Sequence, residues 1–175
     1  MTAPTLTRAQ VNTLDRPGFV AALGHLFEGP PWIVEAAWDA RPFATLDDLH
    51  AALVAVMEAA PIERQVALIQ AHPDLVGRAA LAGTLTSAST GEQAAAGLDS
   101  LTPDEIATFT RLNADYRERF GFPFVICARE NKKESILAGF AQRTSHTRDE
   151  EIATALGEIA KICRLRLLDT VRAEQ

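Results

Sequence analysis

Cysteine is scarce in this chain, two in 175 residues, and neither lies in a CxxC or any other metal-type spacing. Cys127 and Cys163 each sit in apolar sequence. They read as reduced core thiols of a cytosolic protein, not as a disulfide framework. His25, His50, His72 and His146 are scattered, and no HxxxH or HExxH occurs, so no metal site is expected. The chain has no phosphate-loop or dinucleotide fingerprint, which speaks against a bound cofactor. No apolar run approaches the roughly 20 residues that span a bilayer. The opening residues, Met1-Thr2-Ala3-Pro4-Thr5-Leu6-Thr7-Arg8, hold no signal-peptide apolar stretch, and Ala173-Glu174-Gln175 is not a peroxisomal address. Basic residues are outnumbered, 17 against 23, leaving a formal net charge of -6. That balance argues against nucleic acid and anionic membranes as partners.

What is present is ordinary globular sequence, 47% apolar and 23% charged, long enough for one domain over residues 1–175 with its own core. The apolar pattern is helical nearly throughout and predicts an all-α, multi-helix fold. Thr45-Leu46-Asp47-Asp48 reads as an N-cap with acidic first-turn residues, followed by Leu49, Leu53, Val56 and Met57 at helical spacing. Pro61 opens the next helix, which Pro73 ends, because the residue before a proline is pushed out of the α region. His72 therefore falls at a helix C-terminus. Ser89 is read as the start of another helix that ends near Gly97. Thr102-Pro103-Asp104-Glu105 is a capping box, with Ile106, Phe109, Leu112 and Tyr116 following on one face. Thr147 opens a last helix reaching about Arg172. Residues 77–88 read as a small, polar loop. Phe120-Gly121-Phe122-Pro123-Phe124-Val125-Ile126-Cys127 breaks the pattern: it has strand composition but no partner strand, so an extended segment is expected near 121–128. Its N–H and C=O groups must still be satisfied, by a ligand or by neighbouring helices.

Chemistry-bearing residues are few. His72, in His72-Pro73-Asp74-Leu75, is the one group in these motifs able to move a proton near neutral pH. It reads equally as a helix-end residue. Ser89-x-x-Glu92 fits a capping box with Ser89 as N-cap, or a polar substrate-orienting cluster with Thr90, Gly91 and Gln93. In the last helix Ile152, Leu156, Ile159, Ile162 and Cys163 form one apolar stripe, and Arg166 falls inside it while Arg164 projects away. A guanidinium on a core-facing stripe needs an anion. Glu92 or a substrate carboxylate would serve; otherwise Arg166 snorkels at the helix end.

In order and spacing these segments resemble the 2-oxo-4-hydroxy-4-carboxy-5-ureidoimidazoline (OHCU) decarboxylase family. The resemblance rests on His72-Pro73-Asp74-Leu75, on Leu85-Thr86 through Ser89-x-x-Glu92-Gln93 with Ala96-Gly97-Leu98, and on Leu112-Asn113-x-x-Tyr116-x-x-x-Phe120 through Ile126. It continues through Lys133-x-x-Ile136-Leu137, Arg143 and Arg166-Leu167, covering most of residues 15–170. It implies an all-helical, cofactor-free carboxy-lyase of urate degradation that turns OHCU into (S)-allantoin and CO2. His72, Glu92 and Arg166 would be catalytic. Pro73, Ser89, Thr90, Gly91, Glu92 and Gln93 would contact substrate, as would the backbone of Phe124, Val125, Ile126, Cys127 and Ala128. The expected partners are the small-molecule substrate and a second copy of the chain, in the cytoplasm. The loop Thr144-Ser145-His146-Thr147 departs from the asparagine often found there in the family. Two other readings fit the same residues: a non-catalytic helical interaction module, and a cofactor-free hydrolase or isomerase of another cyclic amide.

Overall fold

The computed structural model describes residues 5–172; Met1–Pro4 and Ala173–Gln175, which bear on targeting signals, lie outside the described residues. In chain order the elements are β1 (Leu6–Thr7), α1 (Arg8–Thr13), α2 (Arg16–Leu23), α3 (Trp32–Ala37), α4 (Leu46–Glu58), α5 (Ile62–Gln70), α6 (Arg78–Leu81), α7 (Ser87–Ala95), α8 (Pro103–Phe120), α9 (Lys133–Arg143), α10 (Arg148–Thr170) and β2 (Val171–Arg172). The all-α expectation holds, with one small addition. β1 and β2 pair in parallel, Leu6 with Val171 and Thr7 with Arg172. The last helix accordingly stops at Thr170, not Arg172.

Two compact units are present: residues 1–65 with 160–175, and residues 66–159. The first buries Phe19, Leu23 and Phe27 from its early part, Leu49, Leu53 and Met57 from α4, and Ile162, Cys163 and Leu167 from the end of α10. α4 starts where the sequence predicts, Thr45 and Asp48 closing a reciprocal capping box.

The second unit is built on aromatic packing. α8 opens on its own capping box, Thr102 with Glu105, and Pro103 in its first turn. It ends at Gly121, whose φ of 81° lies in the left-handed region that a glycine occupies without strain. Pro123 then keeps the chain from returning to helix. Tyr116 meets Phe120, Phe122, Phe124 and Phe140, with ring centroids 4.6 to 6.2 Å apart. The 121–127 stretch is neither helix nor strand, as predicted, and it is a core connector: Phe122, Phe124 and Cys127 are fully buried. Phe124 stacks on Phe140 at 3.8 Å and lies against Gly139, where an added Cβ would come within 3.3 Å of the ring.

Candidate active site in residues 66–159

The segment after α5 is shaped by a proline and by three tethers. α5 stops at Gln70, and His72 is 7% exposed. Its Nδ1 lies 2.9 Å from the Leu68 carbonyl. A carbonyl only accepts, so Nδ1 carries a hydrogen, and Nε2 is the nitrogen that gains or loses the transferable proton. Pro73 follows, then a tight turn, with Gly77 N–H donating to the Asp74 carbonyl. Val76 in that turn has φ 53°, a left-handed conformation that is strained for a β-branched residue. Gly77 allows the close approach: a Cβ there would meet Asp74 Cβ at 2.7 Å.

Side chains from two helices hold this turn. Gln93 of α7 accepts from Val76 N–H at 3.0 Å and reaches the Asp74 carbonyl at 3.4 Å. Asn113 of α8 donates to the Leu75 carbonyl at 2.7 Å, and Arg117 pairs with Asp74 at 2.9 Å. The predicted role of Gln93 therefore needs revising. Its amide is engaged with the turn behind His72, so it fixes the histidine segment whatever else it touches.

The capping-box reading of Ser89 and Glu92 is wrong. α7 begins two residues earlier, and Thr86 is its N-cap, its hydroxyl accepting from Ser89 N–H at 3.1 Å. Ser89 is thus in the first turn and buried, with the Thr86 hydroxyl donating to its side chain at 3.1 Å. Glu92 lies a full turn further on, where it caps nothing. The cap that competed with its functional reading belongs to Thr86. Thr90 and Gly91 are on the exposed side of the helix, and Glu92 is half-buried. Helix α7 is anchored at its other end by Lys132, which donates to the Ala95 carbonyl at 2.6 Å.

The connector lies close by. The Cys127 thiol is pushed up by burial, then by the charge of Glu130, with smaller contributions from Glu158 and Glu92. Helix α7, which carries Glu92, packs against the turn Ala128–Glu130 that ends this segment. Several backbone groups of the segment are already committed: Arg143 donates to the Val125 carbonyl at 2.7 Å, and Cys127 N–H donates to Glu158 at 2.8 Å. The Cys127 carbonyl accepts from Asn131, and the Ala128 carbonyl from Asn131 N–H. Neither backbone group of Ile126 has a partner among the described residues. The expectation that neighbouring helices satisfy the connector holds for the Val125 carbonyl and the Cys127 N–H; Phe124 shares the lack of backbone partners with Ile126 but is 1% exposed, so Ile126 is the more accessible place for a ligand to find a donor and an acceptor together.

Arg166 belongs to the other unit. It is 5% exposed within the buried stripe of α10, as the helical projection predicts, and it does not snorkel to solvent. It pairs with an anion that was not anticipated, Glu28, at 3.0 Å, and with the His25 carbonyl at 3.2 Å. Glu28 carries no motif and is separated from Arg166 by 138 residues, so nothing in the sequence pointed to it. Arg164 is partly exposed and pairs with Asp47. Among the described residues no group of His, Cys, Asp and Glu is arranged to hold a metal ion.

A helical scaffold in which one helix, α7, meets both the turn behind a buried histidine and the end of an extended connector offers a place for a small polar molecule. Its family is shown by comparison: residues 12–168 match the OHCU decarboxylase family, and the chain belongs to it. A 2-oxo-4-hydroxy-4-carboxy-5-ureidoimidazoline decarboxylase from Amia calva is 44% identical over 163 residues, 93% of each chain. One from Haloferax volcanii is 43% identical, covering 97% of this chain and 98% of its own. Among solved structures, an (S)-allantoin synthase superposes with a TM-score of 0.75 at 26% identity over 95% of this chain, which spans about half, 54%, of that protein's length.

Proposed function

We propose that this protein is a carboxy-lyase of urate degradation that converts OHCU to (S)-allantoin and CO2. The observation that supports it from the structure is the convergence of three segments within residues 66–159. Gln93 ties α7 to the turn behind His72, and the same helix, which carries Glu92, packs against the turn that ends the connector.

The chemistry follows from the substrate. The bond from the ring carbon to the carboxylate breaks, and CO2 leaves. The electron pair forms a double bond to the adjacent ureido-bearing carbon as its C=N nitrogen takes up the charge. That carbon is then protonated on one face, the hydroxyl gives up its proton to become the carbonyl, and the ring nitrogen that took up the charge gains a proton to become N–H, for a net uptake of one proton. The substrate's own imine is the electron sink. His72, through Nε2, supplies the proton; Glu92 accepts a hydrogen bond from the hydroxyl and draws off its proton. General acid chemistry of this kind contributes about 10²–10⁴-fold, with orientation and electrostatics supplying the rest. Pro73, Ser89, Thr90, Gly91 and Gln93 line the histidine side of the substrate. Along Phe124 to Ala128, the N–H and C=O of Ile126 match the adjacent donor and acceptor of a cyclic ureide. Arg166, held by Glu28, keeps the catalytic assignment that the family resemblance implies. The 175 residues are read as one OHCU decarboxylase-like domain, working in the cytoplasm as a homodimer, a state that sedimentation velocity measures directly.

The test is to add purified protein to freshly generated OHCU and follow circular dichroism. Uncatalysed protonation attacks both faces and gives a racemate with no signal. The (S)-allantoin signal should grow in proportion to enzyme. Disappearance of OHCU at the uncatalysed rate, with no dichroism, would overturn the assignment.

A further inference from the structure

Glu151 is the only acidic side chain among the described residues with no exposed surface in the buried polar set, and the function above makes no use of it. It lies at the start of α10 and is surrounded by donors. Arg143 reaches it through Nε at 3.0 and 3.1 Å and through Nη2 at 2.8 Å. His146 Nδ1 is 2.8 Å away, and the Tyr116 hydroxyl also donates to it. Burying a carboxylate and a guanidinium costs several kcal/mol per ion, and replacing such a pair with apolar side chains is often neutral or stabilising. Stability alone is therefore a weak reason for this cluster.

The geometry offers a specific one. With Nε and Nη2 locked on Glu151, the guanidinium plane is fixed, and Nη1 is left pointing at one acceptor, the Val125 carbonyl at 2.7 Å. The same guanidinium lies 4.2 Å from the centre of the Phe124 ring. Both contacts fall on the connector, on the two residues preceding Ile126. We infer that Arg143, oriented by Glu151 and His146, is a positioning residue that sets the backbone of Phe124 to Ile126 for substrate. This rests on the reading that the connector contacts OHCU. His146, in the loop between α9 and α10, completes the cluster with an imidazole.

Two variants test it. Arg143→Lys keeps the charge opposite Glu151 but loses the planar fork, since an ammonium holds no fixed third direction. Arg143→Met with Glu151→Met removes both charges, which preserves folding where breaking one partner would not. In each, KM for OHCU is expected to rise about tenfold while kcat falls less than threefold, the signature of lost uniform binding. The Kd for (S)-allantoin, measured by calorimetry, should weaken by the same factor. A purely structural role would lower the melting temperature and leave KM and Kd of the folded protein alone; that result overturns the inference. The backbone amide resonances of Ile126 and Cys127 give a reading independent of substrate. They should shift in both variants without ligand, and unchanged resonances in a folded variant would refute the positioning role. If the wild type neither turns over OHCU nor binds (S)-allantoin, the failure lies with the substrate assignment, and the amide shifts still decide the positioning.

Discussion

His72 carries the sharpest consequence of any single side chain. With Nδ1 held by the Leu68 carbonyl, a glutamine at this position retains a donor and similar bulk but has no titratable nitrogen. His72→Gln is expected to fold like the wild type and to lose about 10²–10⁴-fold in kcat, read by dichroism with melting as the control; rates within a factor of three would remove His72 as the donor. His25 yields a prediction about stability instead. Withdrawal of its ring from water, and then the charge of Arg166, push its pKa below the ordinary 6.5, against a smaller opposing effect from the backbone at Ala22. The unfolded chain therefore takes up a proton more readily than the folded one. The contribution to stability is present above pH 6.5 and is lost as the pH falls through that value. Melting curves between pH 8 and 5 should show His25→Gln flatter than wild type over the acid part of the range; parallel curves would show that His25 does not contribute. Cys163, by contrast, is pushed up to about 12 by burial and stays a thiol throughout.

At the scale of elements, α7 is where cap and catalyst separate. Thr86 is the N-cap, so Thr86→Ala should cost about 1 kcal/mol of stability. Glu92→Gln removes no cap and should leave the melting temperature within about a degree of wild type. It should nevertheless lower kcat/KM by roughly 10–100-fold, the worth of a hydrogen bond to a charged group. Normal kinetics in that variant would leave Glu92 without a part in the reaction. The misreading of this helix has a local cause. Thr86-Ser87-Ala88-Ser89-Thr90 offers four hydroxyls, each able to cap, and the glutamate three residues after Ser89 makes the wrong one look best. Thr45 and Thr102 are each the N-cap as read, the Thr102 box forms with Glu105, and the Thr45 cap closes a box with Asp48 as well.

Across the whole molecule, the proposed mechanism takes its electron sink from the substrate, and activity is expected to survive exhaustive dialysis against a chelator; loss on chelation, restored by one metal, would redraw the mechanism. The helical class, the 121–127 break, the helix-end position of His72 and the place of Arg166 on the apolar stripe of α10 were legible in the sequence because each is written in local periodicity or in a proline. The partners were not. Glu28 for Arg166, Glu151 for Arg143 and Asn113 for the turn at Leu75 are long-range or buried pairings that periodicity does not encode. The two-residue bridge of β1 with β2 is too short to leave any pattern. That bridge belongs to a unit assembled from both ends of the chain, and the order of synthesis gives this a meaning in time. Residues 66–159 form a continuous unit and are complete once made. Residues 1–65 are not, because Ile162, Cys163, Leu167 and Val171 belong to their core. At about 5–20 residues per second, the first-made helices spend on the order of ten seconds waiting for the last-made ones. For that interval residues 1–65 are less finished than the segment made after them, and a ribosome stalled before residue 160 would release a protein with their hydrophobic surface still open.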